Sequence, residues 1–494
     1  MKGTVFTKGS QRVSTILLEN TAGKILLIPV DFAKEKHVAR VCFGDGSYMT
    51  KKPIIVFNNN CGVEFLDNYI KKIQKRYDIS KGNVIIATED PHTYAVEFFH
   101  KLRGLGYCVV QANASTAKNL RKNTFSSSDT IDLDGITTAV ITRKVTDLKD
   151  ISDIYAAIKN YSRNYSRYVK ERTRCKNQIT KLMDQIFPGF LSSSKSGLTP
   201  FSNCSLDFML KGVCADTIKR TKMSTLVARI KRKKINKAEG VAEKLKELAK
   251  DTLETNSFLR EHLIESLKNR VDSYIHLQTT INKELNAGAR LLLLTPYSLL
   301  TSIPQVGMKR ALILAAEFGE ITSERKFTSM CAYAGIVPRT FQTGGPDKAA
   351  YVYKLPKKCN HHIKNVLLSA SFDIGGSTHP AGKKINKLKS HRLQEHFCRI
   401  EERKGKSGVS TARVMLKIMQ KMLISHALYL PYDKDLEPNE LKVYIEETFK
   451  SIRAKFLPYL DKKVGFESSC LKSAEDEWKN SMKEFHNIDL SLTF

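Results

Sequence analysis

The residues best suited to chemistry are four acids in the N-terminal part of the chain, Asp31, Glu89, Asp129 and Asp132. Asp31 and Glu89 each follow a short apolar run, so both are predicted at the carboxyl end of a strand, where α/β sheets collect their chemistry. Asp129 and Asp132 are three residues apart on a predicted helix and therefore share one face. Four carboxylates from three segments could hold two Mg²⁺ (or Mn²⁺) ions, which favour oxygen ligands and together catalyse phosphoryl transfer.

A structural interpretation of the same acids stays open at this stage. Asp129 also suits the first turn of a helix, where a carboxylate interacts favourably with the helix dipole. Asp134 could take the place of Asp132, and Asp90 could take the place of Glu89.

The elements that must position these acids are strands and helices alternating over residues 1–145. Apolar and β-branched runs predict strands, and spacings of three and four predict helices. The predicted strands are 25–30, 38–43, 53–57, 84–87 and 107–110, and the predicted helices are 63–77, 95–105 and 127–140. This order predicts a mixed sheet covered by helices.

The middle of the chain, residues 146–290, is predicted to be helical. Residues 156–187 form one long helical pattern that ends at Pro188-Gly189. The Ser-, Gly- and Pro-rich stretch 191–208 predicts a loop or hinge. Residues 242–287 carry leucines at helical spacing, which indicates a helical hairpin or a coiled coil.

The net charge of +31 predicts a polyanionic partner, and nucleic acid is the default candidate. Arginines alternate with tyrosines on the long helix, and residues 219–237 hold nine Lys or Arg and no acid. A turn before the predicted helix 311–318 and the basic stretch 348–413 add further cations. The candidate nucleic-acid contacts are Tyr161, Arg163, Tyr165, Arg167, Arg229, Lys231, Arg232, Lys233, Lys309, Arg310, Lys354, Lys357 and Lys358. The alternatives are a tyrosine stripe packed in a helix bundle and a solvated basic run.

Several classes of protein are disfavoured by the sequence. The polar N-terminus lacks the apolar segment of a secretory signal, and no apolar run approaches the length of a membrane span. The cysteines are irregularly spaced, which predicts reduced thiols in a cytoplasmic protein.

The contexts of the four acids resemble a known family. Val30-Asp31-Phe32-Ala33-Lys34, Glu89 with Tyr94 five residues on, and Ser128-Asp129-Thr130-Ile131-Asp132 are similar to the DEDD motifs of bacterial insertion-sequence transposases related to the pilin-gene invertases. This sequence departs from the family at Pro91-His92, where Thr-Gly is usual, and at Leu133, where Ala is usual.

The C-terminal part resembles the same family. Residues 300–307 are similar to its phosphate-binding turn, with Gln305 in place of the first Gly, and residues 327–344 match a motif of nearly twenty residues. Thr343 stands where the family has a serine that resembles a nucleophile for a DNA phosphate. A threonine keeps the hydroxyl, and its β-methyl group restricts χ1. Thr340 is the nearest other hydroxyl, and Thr343 as a plain turn residue is the structural alternative.

The resemblance implies an α/β + α fold, and the chain is predicted to have four parts. These are a RuvC-like (ribonuclease-H-type) DEDD domain over 1–145, a helical or coiled-coil linker with a basic patch over 146–290, and a mostly helical transposase domain with a helix-hairpin-helix-like element over 291–435; the fourth part, a helical tail of unknown role over 436–494, is predicted from its own residues and lies outside the resemblance.

The resemblance also implies a DNA transposase or site-specific recombinase of an insertion sequence. The four acids would bind Mg²⁺, and Thr343 would attack the scissile phosphate. Donor and target DNA, a non-coding bridge RNA as guide, and a homo-oligomer (dimer or tetramer) are the implied partners. A bacterial cytoplasmic, nucleoid-associated location follows. Two alternatives are a structure-selective RuvC-like nuclease and an inactive transposase-derived protein that binds DNA or RNA.

Overall fold

The computed structural model describes residues 10–50, 52–89, 95–121, 128–148, 153–253, 255–337, 355–376, 392–403, 405–429, 438–459 and 476. The chain divides into two compact units, residues 1–150 and 151–494. Among the described residues, no helix is both long and apolar enough to cross a membrane.

The N-terminal unit combines a mixed sheet with helices on both faces. Its strands are β1 (Leu26–Asp31), β2 (Lys36–Ala39), β3 (Cys42–Phe43), β4 (Ile54–Phe57), β5 (Val84–Glu89), β6 (Cys108–Ala112) and β7 (Val145–Asp147). Its helices are α1 (Gln11–Glu19), α2 (Asn60–Tyr77), α3 (Val96–Gly104), α4 (Ala114–Asn119) and α5 (Asp129–Ile141). The predicted mixed sheet covered by helices is therefore confirmed, and α1, α4 and β7 are additions that the sequence patterns did not indicate.

The sheet has the order β4-β2-β1-β5-β6-β7, with β3 also paired to β1. Strands β1, β5 and β6 are parallel, and the flanking pairs β1–β2 and β6–β7 are antiparallel. Alternate side chains of β1 and β5 enter two different cores. Ile28 and Ile86 pack with α2 and α3, whereas Leu27 and Ile85 pack with α1, α4 and α5.

One predicted strand is divided in two. The run 38–43 forms β2 and β3, which pair in turn with the two ends of β1. Between them, the Arg40 N–H donates to the Pro29 carbonyl at 3.1 Å. Proline has no N–H to return this bond, so the ladder is interrupted at that point.

The C-terminal unit is helical throughout its described part. Its longer helices are α6 (Asp153–Ile186), α8 (Asn203–Leu210), α10 (Met223–Lys231), α11 (Ala238–Asp251), α12 (Ser257–Leu293), α13 (Met308–Phe318), α14 (Phe327–Ala334), α15 (His361–Gly375), α16 (Arg392–Glu402), α17 (Ser407–Ser425) and α18 (Pro438–Phe456). Shorter helices are α7 (Ser193–Ser196), α9 (Ala215–Arg220) and the 3-10 helix Pro296–Ser302.

Two apolar cores lie along the antiparallel pair α6 and α12. The first half of α12 and the last turns of α6 pack with α8 to α11 in one core, which we call the middle core. The other ends of both helices pack with α13 to α18 in a second core, which we call the C-terminal core. Arg172 Nη1 donates to Gln278 Oε1 at 2.7 Å across the pair.

The sequence predictions for this unit are partly wrong. Stretch 191–208 contains α7 and most of α8, and Phe208 is fully buried, so it is not a simple loop or hinge. Residues 242–287 do not pair with each other as a hairpin. The main partner of α12 is α6, and α11 packs on α9 and α10. Leucine spacing identified the helices but could not identify their partners.

Candidate functional site

Asp31 and Glu89 lie side by side at the carboxyl ends of two neighbouring strands. Strands β1 and β5 are parallel, and Val30 pairs with Thr88, so the next residues along the strands are Asp31 and Glu89. Both acids continue the alternation that places Leu27 and Ile85 toward α4 and α5. The predicted strand-end position of the two acids is confirmed. Each acid lies an even number of residues after Leu27 or Ile85, so both lie on the same face of the sheet.

The other two acids come from the helix that covers this face. Asp129 and Asp132 lie in the first turn of α5, whose N-cap, Ser128, accepts a hydrogen bond from the Ile131 N–H at 3.4 Å. Burial is the main cause that raises the pKa of Asp31 to about 6; the charges of Asp132 and Asp129 act in the same direction, and Arg121 opposes them. The helix acids therefore lie near enough to Asp31 for their charges to act on it.

Asp134, the alternative to Asp132, serves a different set of partners. Its carboxylate accepts a hydrogen bond from the Tyr48 hydroxyl and lies 3.8 Å from Arg40 Nη1. Arg40 also stacks on the Tyr48 ring, at 4.3 Å from its centroid. Asp134 therefore belongs to a structural pairing beside the site. Asp90, the alternative to Glu89, lies outside the described residues.

Arg121 is a member of the site that the sequence analysis missed. Its Nη2 lies 2.8 Å from Asp132 Oδ1 and 3.9 Å from Glu89 Oε1, and its side chain is only 12% exposed. Arg121 follows α4, which the patterns did not predict, so nothing in the sequence linked it to the acids. A basic residue eight positions before an acidic pair is too weak a signal to have found it.

Gly135 explains how Arg121 comes so close to α5. A β-carbon on Gly135 would lie 2.5 Å from the Ala117 carbonyl oxygen and 3.0 Å from Arg121 Cγ. Only a residue without a side chain lets α4 and α5 approach to this distance. The close approach places the Arg121 guanidinium against Asp132, one turn before Gly135 on α5.

Two of the site carboxylates face Arg121, whose Nη2 lies near Glu89 Oε1 and Asp132 Oδ1. Burial raises the pKa of Glu89, Arg121 lowers it, and Asp31 and Asp132 raise it. Within the described residues, Glu89 Oε1 and Asp132 Oδ1 are buried and accept no hydrogen bond. Oxygen donors of this kind suit Mg²⁺ in their chemistry. In the described part of the chain, however, no three His, Cys, Asp or Glu side chains are arranged to hold a metal ion. Arg121 supplies the positive charge in this arrangement.

Two family models match the chain. A DEDD transposase model of the IS110 type matches residues 28–188, which include all four acids. A second model, described as transposase of the IS116/IS110/IS902 family, matches residues 297–385, which include Thr343. Together they cover about half of the chain, in the order that the sequence motifs predicted. The chain belongs to the IS110 family of DEDD transposases. No curated protein matches it.

In this IS110-family transposase, the tyrosine–arginine helix α6 is largely engaged in packing. Tyr165 and Tyr168 pack against the C-terminal core, and Tyr161 is partly buried. Arg163 pairs with Glu317, with 2.7 Å between Nε and Oε1. Arg167 is exposed and stacks on the Tyr168 ring at 4.9 Å. The structural interpretation of the tyrosine stripe therefore holds for Tyr165 and Tyr168.

The basic run after α9 is partly neutralised by acids of the same unit. Arg229 Nε and Lys233 Nζ lie 3.0 and 3.2 Å from the Asp207 carboxylate. Lys231 Nζ lies 2.5 Å from Glu239 Oε1, and Arg232 is exposed. The net charge that this run offers to a polyanion is smaller than its sequence suggests.

The predicted phosphate-binding turn has the expected backbone. Gln305 has a positive φ of 63°, the conformation that a glycine would adopt without strain. Arg310 donates to the Gln305 carbonyl and pairs with Asp373 at 2.5 Å, so it stabilises the turn and ties it to α15. Lys309 is exposed on the first turn of α13.

The remaining predicted residues belong to one stretch of the sequence, residues 340–358. Lys357 and Lys358 are exposed just before α15. Thr343, Lys354 and the alternative hydroxyl Thr340 lie outside the described residues.

Proposed function

We propose that this transposase cuts and rejoins DNA strands by Mg²⁺-dependent phosphoryl transfer, using the four acids of the N-terminal unit and the hydroxyl of Thr343. The observation that carries the proposal is that acids of β5 and α5 meet at one arginine, with Arg121 Nη2 3.9 Å from Glu89 and 2.8 Å from Asp132, beside Asp31, whose pKa is raised to about 6. Carboxylates that repel one another in a partly buried site are typical of functional sites, including those that hold divalent cations.

Asp31, Glu89, Asp129 and Asp132 would hold the metal. When bound, Mg²⁺ (or Mn²⁺) would neutralise the phosphate oxygens and activate the attacking oxygen. The protein side chains would fix the position of the phosphate, and most of the rate enhancement in such a reaction comes from positioning and charge neutralisation.

Thr343 would act as the nucleophile. Its oxygen would attack the phosphorus, the bond to one bridging oxygen would break, and the departing strand would leave as an alcohol that takes up a proton. A phosphothreonine ester would link the protein to the other strand end until a strand hydroxyl reverses the step. The support is the position of Thr343 in the motif 327–344, inside the second family match.

The finer features of the family belong to the same proposal. They are a RuvC-like N-terminal domain over 1–145, a linker over 146–290 and a transposase domain over 291–435 with a helix-hairpin-helix-like turn. A bridge RNA as guide, a homo-oligomer that joins the acids of one subunit to the hydroxyl of another, and a nucleoid-associated location complete it. The support for a nucleic-acid partner is the charge of +31.

The experiment combines purified protein, the non-coding RNA encoded beside its gene, a supercoiled donor–target pair and Mg²⁺. Asp31→Ala and Thr343→Ala are expected to abolish recombination. Asp78→Asn, which removes an acid whose side chain is 97% exposed, should leave recombination unchanged. Wild-type recombination by either of the first two variants would disprove the proposed site. Thr343→Ser tests whether threonine handicaps the reaction.

A suicide substrate separates the proposal from its alternatives. The recombinase should form a covalent protein–DNA adduct that Thr343→Ala cannot form. Cleavage without an adduct would identify a nuclease that uses water. Tight binding without cleavage, retained when all four acids are replaced, would identify an inactive nucleic-acid-binding protein.

A further inference from the structure

A cavity of about 530 Å³ opens on the C-terminal unit between α6, α14 and the start of α15. The side chains that matter for its chemistry are Arg163, Tyr333, Lys358, Asn360, His361 and His362. Its walls come from the chain on both sides of Thr343, because Tyr333 precedes this residue and Lys358 follows it. The Asn360 N–H holds the two walls together by donating to the Tyr333 carbonyl at 2.9 Å.

A buried acid beneath the cavity fixes its polar side chains. Glu317 has a side chain only 2% exposed, and its Oε2 accepts hydrogen bonds from Arg163 Nη2 at 2.9 Å and from Asn360 Nδ2 at 2.6 Å. Asn360 Nδ2 also donates to the Tyr333 hydroxyl at 3.0 Å. The charge of Glu317 is thus directed to Arg163, and the ring of Tyr333 is held in place through Asn360.

Around the cavity, the cations Arg163 and Lys358 outnumber the one described acid, Glu317. The pKa of His362 is lowered, first by burial and then by Arg163, Lys170 and His361, whereas Glu317 acts in the opposite direction. Arg163 Nη1 lies 3.2 Å from His362 Nε2. Because a guanidinium can only donate, His362 accepts this bond in its neutral form. Lys358 is exposed at the rim.

An aromatic ring completes the wall. Tyr333 is 43% exposed although both its hydroxyl and its carbonyl are engaged. Exposed rings beside cations are the usual platform for an unpaired base, since the base stacks while the cations meet the phosphate. A paired base is stacked inside a duplex and cannot reach such a ring.

We infer that this cavity binds one unpaired nucleotide of a single-stranded segment. Its phosphate contacts Lys358 and Arg163, and its base stacks on Tyr333. The inference deepens the proposed function by naming a single strand as a partner of the C-terminal unit, and it rests on that function only for the origin of the strand.

The test measures anisotropy of labelled oligonucleotides with the full-length protein. The probes are a single-stranded dT 12-mer, a U 12-mer and a 12-base-pair DNA duplex. Tyr333→Ala should weaken single-strand binding about tenfold, the typical loss of one stacked base, whereas Tyr333→Phe keeps the ring and should bind as the parent does. Duplex binding should not change.

Lys358 and Lys357 provide a matched pair. Lys358→Ala should make the slope of log Kd against log salt shallower by about one, as expected for one lost phosphate contact. Lys357→Ala removes a neighbouring exposed lysine that does not line the cavity and should leave the slope unchanged.

The results separate this inference from the proposed function. A tenfold loss on either single strand supports the inference, and the strand that shows it identifies DNA or RNA as the source. The inference would be overturned if Tyr333→Ala lost as much affinity for the duplex as for the single strands. It would also be overturned if Tyr333→Ala bound the single strands as tightly as the parent does, with an unchanged melting midpoint. Asp78→Asn, which removes an exposed acid outside both sites, should bind every probe as the parent does. The probes report binding and not strand exchange, so a failed recombination assay does not affect this result.

Discussion

Two arginine–carboxylate pairs occupy opposite electrostatic surroundings in the two units. In the N-terminal unit, Arg121 stands 2.8 Å from Asp132 among four acids. In the C-terminal unit, Arg163 stands 2.7 Å from Glu317 among cations. The first pair leaves an excess of negative charge, and the second leaves an excess of positive charge.

The difference shows that an ion pair does not by itself define a site. Around Arg121, the acids that remain uncompensated are suited to a second cation. Around Arg163, the one acid is already used, so the rim is suited to a phosphate. The burial of the acids also differs, because Asp132 is 19% exposed and Glu317 is 2% exposed. Substitutions at both pairs, and a change of pH, should therefore have unequal effects in the two units.

Arg163→Gln should destabilise the protein most, by about 3 kcal/mol, because it leaves the buried Glu317 without its cation. Urea unfolding measures the loss, and Mg²⁺ should not restore it. Arg167→Gln, one turn later on α6, removes an exposed arginine and should cost less than about 1 kcal/mol. Equal losses of stability for the two variants would show that the Arg163–Glu317 pair contributes no more than an exposed arginine does.

Arg121→Gln should lower the free energy of unfolding by roughly 2 kcal/mol without metal, because Asp132 and Glu89 lose the guanidinium beside them. The loss is smaller than for Arg163→Gln because these acids are partly solvated. Mg²⁺ should stabilise this variant more than it stabilises the parent, since the ion no longer competes with the guanidinium. Thermal midpoints against Mg²⁺ concentration provide the measurement. If the midpoints of variant and parent rise equally, Arg121 does not compete with the metal.

Gly135→Ala should cost about 1–2 kcal/mol, because the new methyl group overlaps the Ala117 carbonyl and pushes α4 away from α5. The shift should also weaken the Arg121–Asp132 pair, so its effect should be smaller in an Arg121→Gln background. Gly240→Ala is the control, because nothing lies within 4 Å of its β-carbon and α11 should gain up to about 1 kcal/mol. Additive losses in the double variant would contradict the link to Arg121.

The pH dependence of stability should reveal the crowded acids. The pKa of Asp31 rises from 3.8 to about 6 on folding, so the folded state holds this proton more tightly than the unfolded state. The proton on Asp31 therefore contributes fully to the free energy of unfolding below pH 3.8, and this contribution is lost as the pH rises to about 6. The change is about 1 kcal/mol after screening by solvent. Asp31→Asn should remove this part of the slope, and an unchanged slope would show that Asp31 titrates normally.

Much of the N-terminal site was predictable because its parts are local patterns. Apolar runs located β1 and β5, and helical spacing located α5 with Asp129 and Asp132. The positions of the strand-end acids followed from the general behaviour of parallel sheets. Arg121 was not predictable, because its contact with Asp132 depends on α4 and on the close approach that Gly135 permits.

The C-terminal unit was less predictable for the same reason. Tyr165 and Tyr168 showed a clear helical stripe, but only packing decided that the stripe faces the C-terminal core. Arg163, Arg229 and Lys233 counted as free cations in the sequence, yet each meets an acid distant in the chain. The cavity at Tyr333 also joins residues that sequence spacing leaves apart.

The sequence by itself determined the order of the acidic motifs, the family, the alternation of strands and helices, and the excess of positive charge. These properties depend on residue type and short-range periodicity. The tertiary structure decided which charges remain available, because each buried charge must find a partner and those partners come from distant segments. It therefore separated the acidic site, where Arg121 leaves carboxylates in excess, from the cavity of the C-terminal unit, where Glu317 leaves cations in excess.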